Sequence, residues 1–507
     1  MDLLEQRGEI GSGVFFQYVN SFTGVLAGFI FYIYVIHFYS SELVGVVALL
    51  LAIASLLNIT FSLGLGYGLQ HFISYHLGRR ELDAIRRIVI RYSTIGLGLA
   101  FLSFVFLYFA SPVFATLFFH SLKYLSLVKI LSLDLFFMVV STVLGSILIG
   151  LQNFRSQAEW NVVGSIIGYI LPVILLFLFN KALFIVIGWA IGSALPSIAY
   201  SILIHRKTRS IEKDGSGMKA DGVLGYAFPI FLASLIGYGA AYVDRFIVSF
   251  LLNLSLLGIY NFALLISSAI AFLVSPFVTI LLPKLSEMYG LERKEDMRNY
   301  VAKGTELIST IYVPIAMLVA ALSSPILLLL SSGEYLPASI PIMIVLVTSS
   351  IFVSGNILSV SLQGIRKTKI FLITSTVALL ANFVLSILLI PKFQMIGASI
   401  GYSSISAVSF VIMYYYARKF GVLKFEGKKI AKIYASAFIM FFVVFIVQRM
   451  LLYSPLRLIF YIVLGFAVYS GMIKFMKTFD KNDLEFIMRL IPWWLQRIKV
   501  VISVLFL

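Results

Sequence analysis

Fourteen stretches of this chain are each long and apolar enough to cross a bilayer, and that repetition restricts its folding more than any other feature. A hydrocarbon core takes about 20 residues of helix per crossing. Inside it every backbone N–H and C=O must find a partner, so each run has to be helical. The runs are 13–38, 43–67, 88–110, 125–150, 162–179, 183–204, 224–251, 256–282, 305–329, 339–362, 370–390, 396–416, 430–452 and 456–475. Charged residues make up 12% of the chain, against about 25% in soluble domains. Water-soluble enzymes and strings of soluble domains are thereby excluded. The fold class is an all-α integral membrane protein with almost nothing outside the bilayer. The first run follows the acidic start Met1-Asp2-Leu3-Leu4-Glu5 and is too long for a signal-peptide core, so it reads as a retained span.

The formal charge is +17. In a soluble protein that would point to nucleic acid. Here the cations sit in short loops, where Lys and Arg hold a loop on the cytoplasmic side, and no nucleic-acid partner is implied. With a cytoplasmic N-terminus, 32 of the 39 Lys and Arg fall on the inside. The outside segments hold only Lys123, Lys129, Lys181, Lys392, Arg449 and Arg457, and Arg245 lies within a span. A missed or invented crossing would destroy this asymmetry, so the pattern predicts fourteen spans with both termini cytoplasmic. There is no cysteine, hence no disulfide, thiolate metal site or cysteine nucleophile.

The longest polar connector carries Asp214-Gly215-Ser216-Gly217 and reads as a flexible linker. The expected organisation is an N-lobe over 1–205 (spans one to six), a cytoplasmic linker over 206–222 and a C-lobe over 223–417 (spans seven to twelve). A helix pair over 418–479 and an interfacial tail over 480–507, anchored by Trp493 and Trp494, complete it. The two groups of six repeat. Ile187-Gly188-Trp189-Ala190-Ile191-Gly192 matches Ile396-Gly397-Ala398-Ser399-Ile400-Gly401. Leu151-Gln152-Asn153-Phe154-Arg155 matches Leu362-Gln363-Gly364-Ile365-Arg366, and Leu43-Val44-Gly45-Val46 matches Leu256-Leu257-Gly258-Ile259. Six crossings return the chain to its starting side, so the repeats are parallel, which suits a secondary transporter.

Chemistry motifs are mostly absent. There is no nucleotide-binding loop and no H-E-x-x-H, and the five histidines lack metal-site spacing. No metal site, cofactor or catalytic residue is implied. Ionisable groups within spans are costly enough to need a reason. Asp244 and Arg245 lie in the seventh span, either as an interfacial pair with the arginine reaching outward or as a cation holding an anionic head group. Asp134 in the fourth span is either a hydrogen-bonded neutral group or a protonation switch. Gln17 and Asn20 make the start of the first span polar, suiting either a cavity lining or interhelical hydrogen bonds. His37 closes that span, at an outer interface or a ligand site.

Ser40-Ser41-Glu42-Leu43-Val44-Gly45-Val46, followed by Phe61-Ser62-Leu63-Gly64-Leu65-Gly66, resembles the opening of Wzx-type polysaccharide flippases. Asp244-Arg245-Phe246-Ile247-Val248, with Leu257-Gly258-Ile259-Tyr260-Asn261, resembles their signature across spans seven and eight. Ile390-Pro391-Lys392-Phe393 with Ile396-Gly397-Ala398 resembles a later one. The family belongs to the multidrug, oligosaccharidyl-lipid and polysaccharide exporter (MOP) superfamily, so the resemblance implies two MATE-like six-helix lobes with an added helix pair. It also implies a cytoplasmic-membrane transporter, not an enzyme, that moves a polyprenyl-diphosphate-linked oligosaccharide to the outer leaflet by alternating access. Membrane lipids and glycan-assembly enzymes are the implied partners. Arg245 matches the family position for a cavity cation, whereas His37 stands where many relatives carry arginine. The added helix pair would offer a groove for the lipid tail, as in lipid II flippases. A MATE-type multidrug or cation antiporter, for which Asp134 would be the coupling group, and a lipid II flippase proper are the alternative readings. A membrane glycosyltransferase would need an acidic metal site or a large outer loop, and neither is present.

Overall fold

The computed structural model describes residues 3–209, 222–331, 333–424, 426–451 and 454–479, with part of the side chains before residue 20 and around 275–283 left aside. The expected tail over 480–507, most of the linker (210–221) and the side chain of Gln17 lie outside the described residues. The described chain is helical throughout. Its α-helices are α1 (Leu3–Phe38), α2 (Ser41–Ser62), α3 (Leu65–Gly78), α4 (Leu82–Phe119), α5 (Leu125–Gly150), α6 (Phe154–Phe179) and α7 (Leu183–Arg209). There follow α8 (Val223–Leu251), α9 (Leu254–Ala271), α10 (Ser275–Gly290), α11 (Lys294–Ala321), α12 (Ser323–Leu330), α13 (Ser339–Phe352) and α14 (Ser354–Gly364). Last come α15 (Lys369–Phe393), α16 (Met395–Lys419), α17 (Gly427–Met450) and α18 (Pro455–Phe475).

Among the described residues fourteen helical segments are long and apolar enough to span a membrane, one for each run read from the sequence. The differences lie at the ends. The second run was expected to continue to 67, but α2 stops where Leu63 and Gly64 take left-handed conformations (φ 49° and 68°), and α3 begins a new direction. The eighth, ninth and tenth runs are broken, at 272–274 into α9 and α10, at Leu322 into α11 and α12 and at Val353 into α13 and α14. Helix α4 has 38 residues, about 57 Å at 1.5 Å per residue, so its apolar middle is only part of it.

The described chain forms two compact units. The first runs to Tyr242 and includes Leu252–Gly258; the second is Val243–Leu251 with the chain from Ile259 onward. The division falls inside α8. In the first unit α5 is the hub, packing on α2, α3, α4, α6 and α7. In the second, α13 packs on α11 and α16, α14 joins α10 and α16, and α17 and α18 pack on α11.

Small residues mark the places where helices approach most closely, and bulky apolar ones cover much of the outward surface. On α4, Gly96, Ala100, Ser103, Ser111 and Ala115 are buried while Phe101, Leu102 and Phe109 are exposed. Lipid competes for apolar surface as well as protein does, so close backbone approach has to supply the helix–helix attraction. The repeat noted in the sequence is built on this. In the first unit a Cβ on Gly192 would stand 2.5 Å from the Cα of Gly168, and one on Gly188 2.5 Å from Pro172 Cγ. These contacts fuse α6 and α7. In the second unit the matching Gly397 and Gly401 meet the backbone of Leu389 and the side chains of Ser386 and Asn382, fusing α15 and α16. The third repeat match also packs on glycine: within the first unit, a Cβ on Gly45 would overlap the carbonyl of Leu254, and one on Gly258 the carbonyl of Ser41.

Gly192→Val should therefore destabilise the protein by about 1–3 kcal/mol through overpacking, read as an earlier thermal transition in detergent. Gly98→Val, at an exposed position on α4 with nothing within 4 Å of its Cβ, should leave the transition in place.

Candidate functional site

Each unit holds a buried carboxyl with its own surroundings. In the first, Asp134 sits on α5 at 3% exposure. The Ser193 hydroxyl of α7 donates to Asp134 Oδ1 at 2.7 Å. Its other oxygen has no hydrogen-bond partner among the described residues and faces a cavity of about 490 Å³ walled by α2, α5, α6 and α7. Asn58, Ser141 and Thr142 line it from α2 and α5, and Asn161, Ser165 and Tyr169 from α6. Part of this wall is held in place. Asn58 Nδ2 donates to Thr142 Oγ1 at 3.3 Å. The Tyr200 hydroxyl reaches the Gln157 carbonyl at 2.7 Å and Asn161 Oδ1 at 2.9 Å. Trp189 lines the cavity from α7, and its buried Nε1 has no hydrogen-bond partner among the described residues.

The space exists because four glycines (Gly145, Gly164, Gly168 and Gly192) stand among the lining residues. Two of them belong to the α6–α7 contact described above. The crossing that joins the helices also thins the wall.

In the second unit Asp244 is fully buried. The Tyr260 hydroxyl of α9 donates to Asp244 Oδ2 at 2.6 Å, and Asn382 Nδ2 of α15 to Oδ1 at 3.3 Å. The Ser386 hydroxyl donates to Asn382 Oδ1 at 3.0 Å, extending the chain of bonds. A carboxyl withdrawn from water is tolerable only when its oxygens are occupied in this way. Arg245, next on α8, is half-buried. Consecutive helical residues do not share a face, so the arginine leaves the helix in a different direction from Asp244. The second unit also contains an almost wholly apolar groove of about 250 Å³ between α11, α17 and α18. Ile311, Ile315 and Leu318 meet Met440 and Phe466 there. Tyr469 points its hydroxyl away to the Thr310 carbonyl at 3.2 Å, keeping the surface greasy.

The residues singled out in the sequence are thus distributed. Asp244 and Arg245 are neighbours in one unit, and Asp134 belongs to the other. Asn20 is half-buried on α1, and His37 is exposed in its last turn beside Phe38; neither lines the cavity of the first unit. Tyr260, Asn382 and Ser193 were not singled out. Asn382 had a legible signal, since Thr374, Ala378, Asn382 and Ser386 form a small and polar stripe every fourth residue in an otherwise apolar helix, and that stripe is the buried face. Among the described residues no group of three or more His, Cys, Asp or Glu is placed to hold a metal.

Fourteen long apolar helical segments among the described residues define an all-α, multi-pass membrane protein. The chain belongs to the polysaccharide biosynthesis protein family, which it matches over residues 38–340. It is similar to Agl15 of Haloferax volcanii, a probable low-salt glycan biosynthesis flippase, with 21% identity over 282 residues. That match takes in 55% of this chain and 60% of Agl15, so the chain spans well under two thirds of that relative. In fold it is similar to the lipid II flippase MurJ in an inward closed conformation. The TM-score is 0.70 at 20% identity, covering 91% of this chain and 98% of MurJ. A multidrug resistance MATE family transporter in an inward-facing conformation gives a TM-score of 0.65 at 16% identity, covering 78% and 94%.

Tyr260→Phe should leave one Asp244 oxygen buried and unbonded, at a cost of about 1–3 kcal/mol. The expected readout is a lower melting temperature in detergent. An unchanged transition would mean that the tyrosine does nothing to stabilise the carboxyl.

Proposed function

We propose that this protein is a flippase that carries a polyprenyl-diphosphate-linked oligosaccharide from the cytoplasmic to the outer leaflet of the cell membrane by alternating access, without chemical change to the cargo. The reading is supported by the family, by the likeness to Agl15 and by the fold shared with MurJ. The observation that carries it furthest is the apolar groove between α11, α17 and α18. Its walls suit an isoprenoid chain and offer nothing to a water-soluble solute. An amphipathic cargo accounts for a chain that combines such a groove with a polar cavity.

The 206–222 linker would separate two six-span lobes, over 1–205 and 223–417, and the pair over 418–479 would carry the groove. Both termini lie in the cytoplasm in this reading, as the bias of Lys and Arg among the loops favours. Arg245 holds the diphosphate, since a charge of that size cannot leave water without a cationic partner. Asp244 positions the helix turn from which Arg245 projects. Gln17, Asn20 and His37 are assigned to the cargo path as hydrogen-bonding groups, and Asp134 to coupling by proton exchange. Glycan-assembly enzymes supply the cargo.

Asp134 favours a second reading, a MATE-type antiporter for cationic solutes, because a lone carboxyl in a polar cavity is an attractive site for positive charge.

Translocation of a fluorescent polyprenyl-diphosphate oligosaccharide in proteoliposomes, with a cationic dye as competitor, separates the two readings. Glycolipid movement without dye movement is expected; dye movement alone would replace the flippase by the antiporter. Arg245→Ala should slow glycolipid movement by about ten- to a hundredfold with an unchanged melting curve. Asp134→Asn should abolish the response to an imposed pH gradient while leaving any response to membrane potential. Retained pH dependence in that variant would exclude Asp134 from coupling.

A further inference from the structure

The cavity of the first unit has a chemistry that the diphosphate of the proposed cargo does not use. Among the described residues no Lys, Arg or His lines it, so an anionic head group would lose its hydration there with no opposite charge to compensate. A bare metal ion fits no better. Ions such as calcium need a tight shell of oxygens at about 2.3–2.6 Å, and this space of about 490 Å³ has a single acidic side chain on its wall. The volume falls instead within the range of about 300–1,000 Å³ usual for small organic ligands.

What the walls provide is a mixture of neutral donors and acceptors beside aromatic rings. The hydroxyls of Tyr169, Ser141 and Ser165 make no hydrogen bond among the described residues, and each can both donate and accept one. Asp134 adds an acceptor with one oxygen unoccupied. Trp189 and Tyr169 contribute rings, whose electron-rich faces favour C–H groups. A ligand matching this set carries several hydroxyls around a small ring with exposed C–H edges and has no net charge.

We infer that this cavity binds one uncharged pyranose ring. The inference deepens the flippase reading and rests on it for the origin of the ring, which is one sugar unit of the carried glycan. It divides the work of recognition: the cation at Arg245 reads the diphosphate, and the first unit reads the identity of a sugar. Asp134 then lies against the cargo itself, so that occupancy by sugar and the state of the coupling carboxyl influence one another.

The test uses the full chain in lipid nanodiscs, with the methyl glycosides of glucose, galactose, mannose and N-acetylglucosamine as probes and saturation-transfer NMR as the readout. Tetramethylammonium and inorganic pyrophosphate serve as competitors. Saturable binding of at least one glycoside is expected, undisturbed by pyrophosphate. Tyr169→Phe removes a hydroxyl that makes no hydrogen bond among the described residues and keeps the ring, so the fold should be kept while affinity falls about three- to tenfold. Trp160→Phe, on the exposed side of α6, should bind as the parent does. The inference is overturned if no glycoside saturates, if Tyr169→Phe binds like the parent, or if tetramethylammonium alone displaces the bound glycoside.

Glycolipid translocation by the same Tyr169→Phe variant identifies the source of the ring. A matching fall in translocation supports a sugar of the cargo, and lost glycoside binding with intact translocation would make the ligand a free sugar. Glycoside binding by a parent protein that moves no glycolipid would sink the flippase reading while the pyranose site stood.

Discussion

Contact between backbones, made possible by missing side chains, is the interaction on which this structure depends. Helices in hydrocarbon already have their peptide groups bonded and their apolar surface covered, so large side chains on their facing surfaces would gain little. Gly188 and Gly192 let α7 settle on α6, and Gly397 and Gly401 let α16 settle on α15. Bulky apolar residues also cover the outward faces, as Phe101 and Phe109 on α4 and Leu380 and Leu388 on α15 do. A water-soluble helix bundle would invert that arrangement.

The same rule explains where polarity was affordable. Asp244 is surrounded by partners from two other helices, Tyr260 and Asn382, and so behaves as a keystone for α8, α9 and α15. Asp134 has one partner and an open cavity. Two carboxyls that look alike in sequence thus differ in kind: one is saturated by the fold, and the other is left with capacity for something that comes and goes.

Much of the fold was legible because its determinants are local. Run length and loop charge fixed the number of crossings, and the repeat carried the paired glycines in register. What escaped was set by contacts across the chain. No local signal ended α2 at Leu63, apart from the Gly64 that follows it, because the break is held by packing at that glycine: a Cβ there would stand 2.7 Å from the carbonyl of Ala227. The chemistry of Asp134 and Asp244 was visible only as an alternative, since it turns on Ser193, which lies 59 residues from its partner, and on Asn382, which lies 138 residues from its own. Polar residues in a span announce that they need company, and they do not say whose.

The joint between α15 and α16 is one residue, Gln394, at φ 50° and ψ −126°. Two helices of 25 residues each are therefore reversed with no slack between them. While the chain is being made, Asn382 of α15 can already reach Asp244 of the earlier α8, but the face at Ser386 and Leu389 that Gly397 and Gly401 cover stays open until α16 has followed. A pair so tightly joined is suited to entering the bilayer with both arms together, and the glycines that seal it then matter to the making of the protein before they serve the finished one.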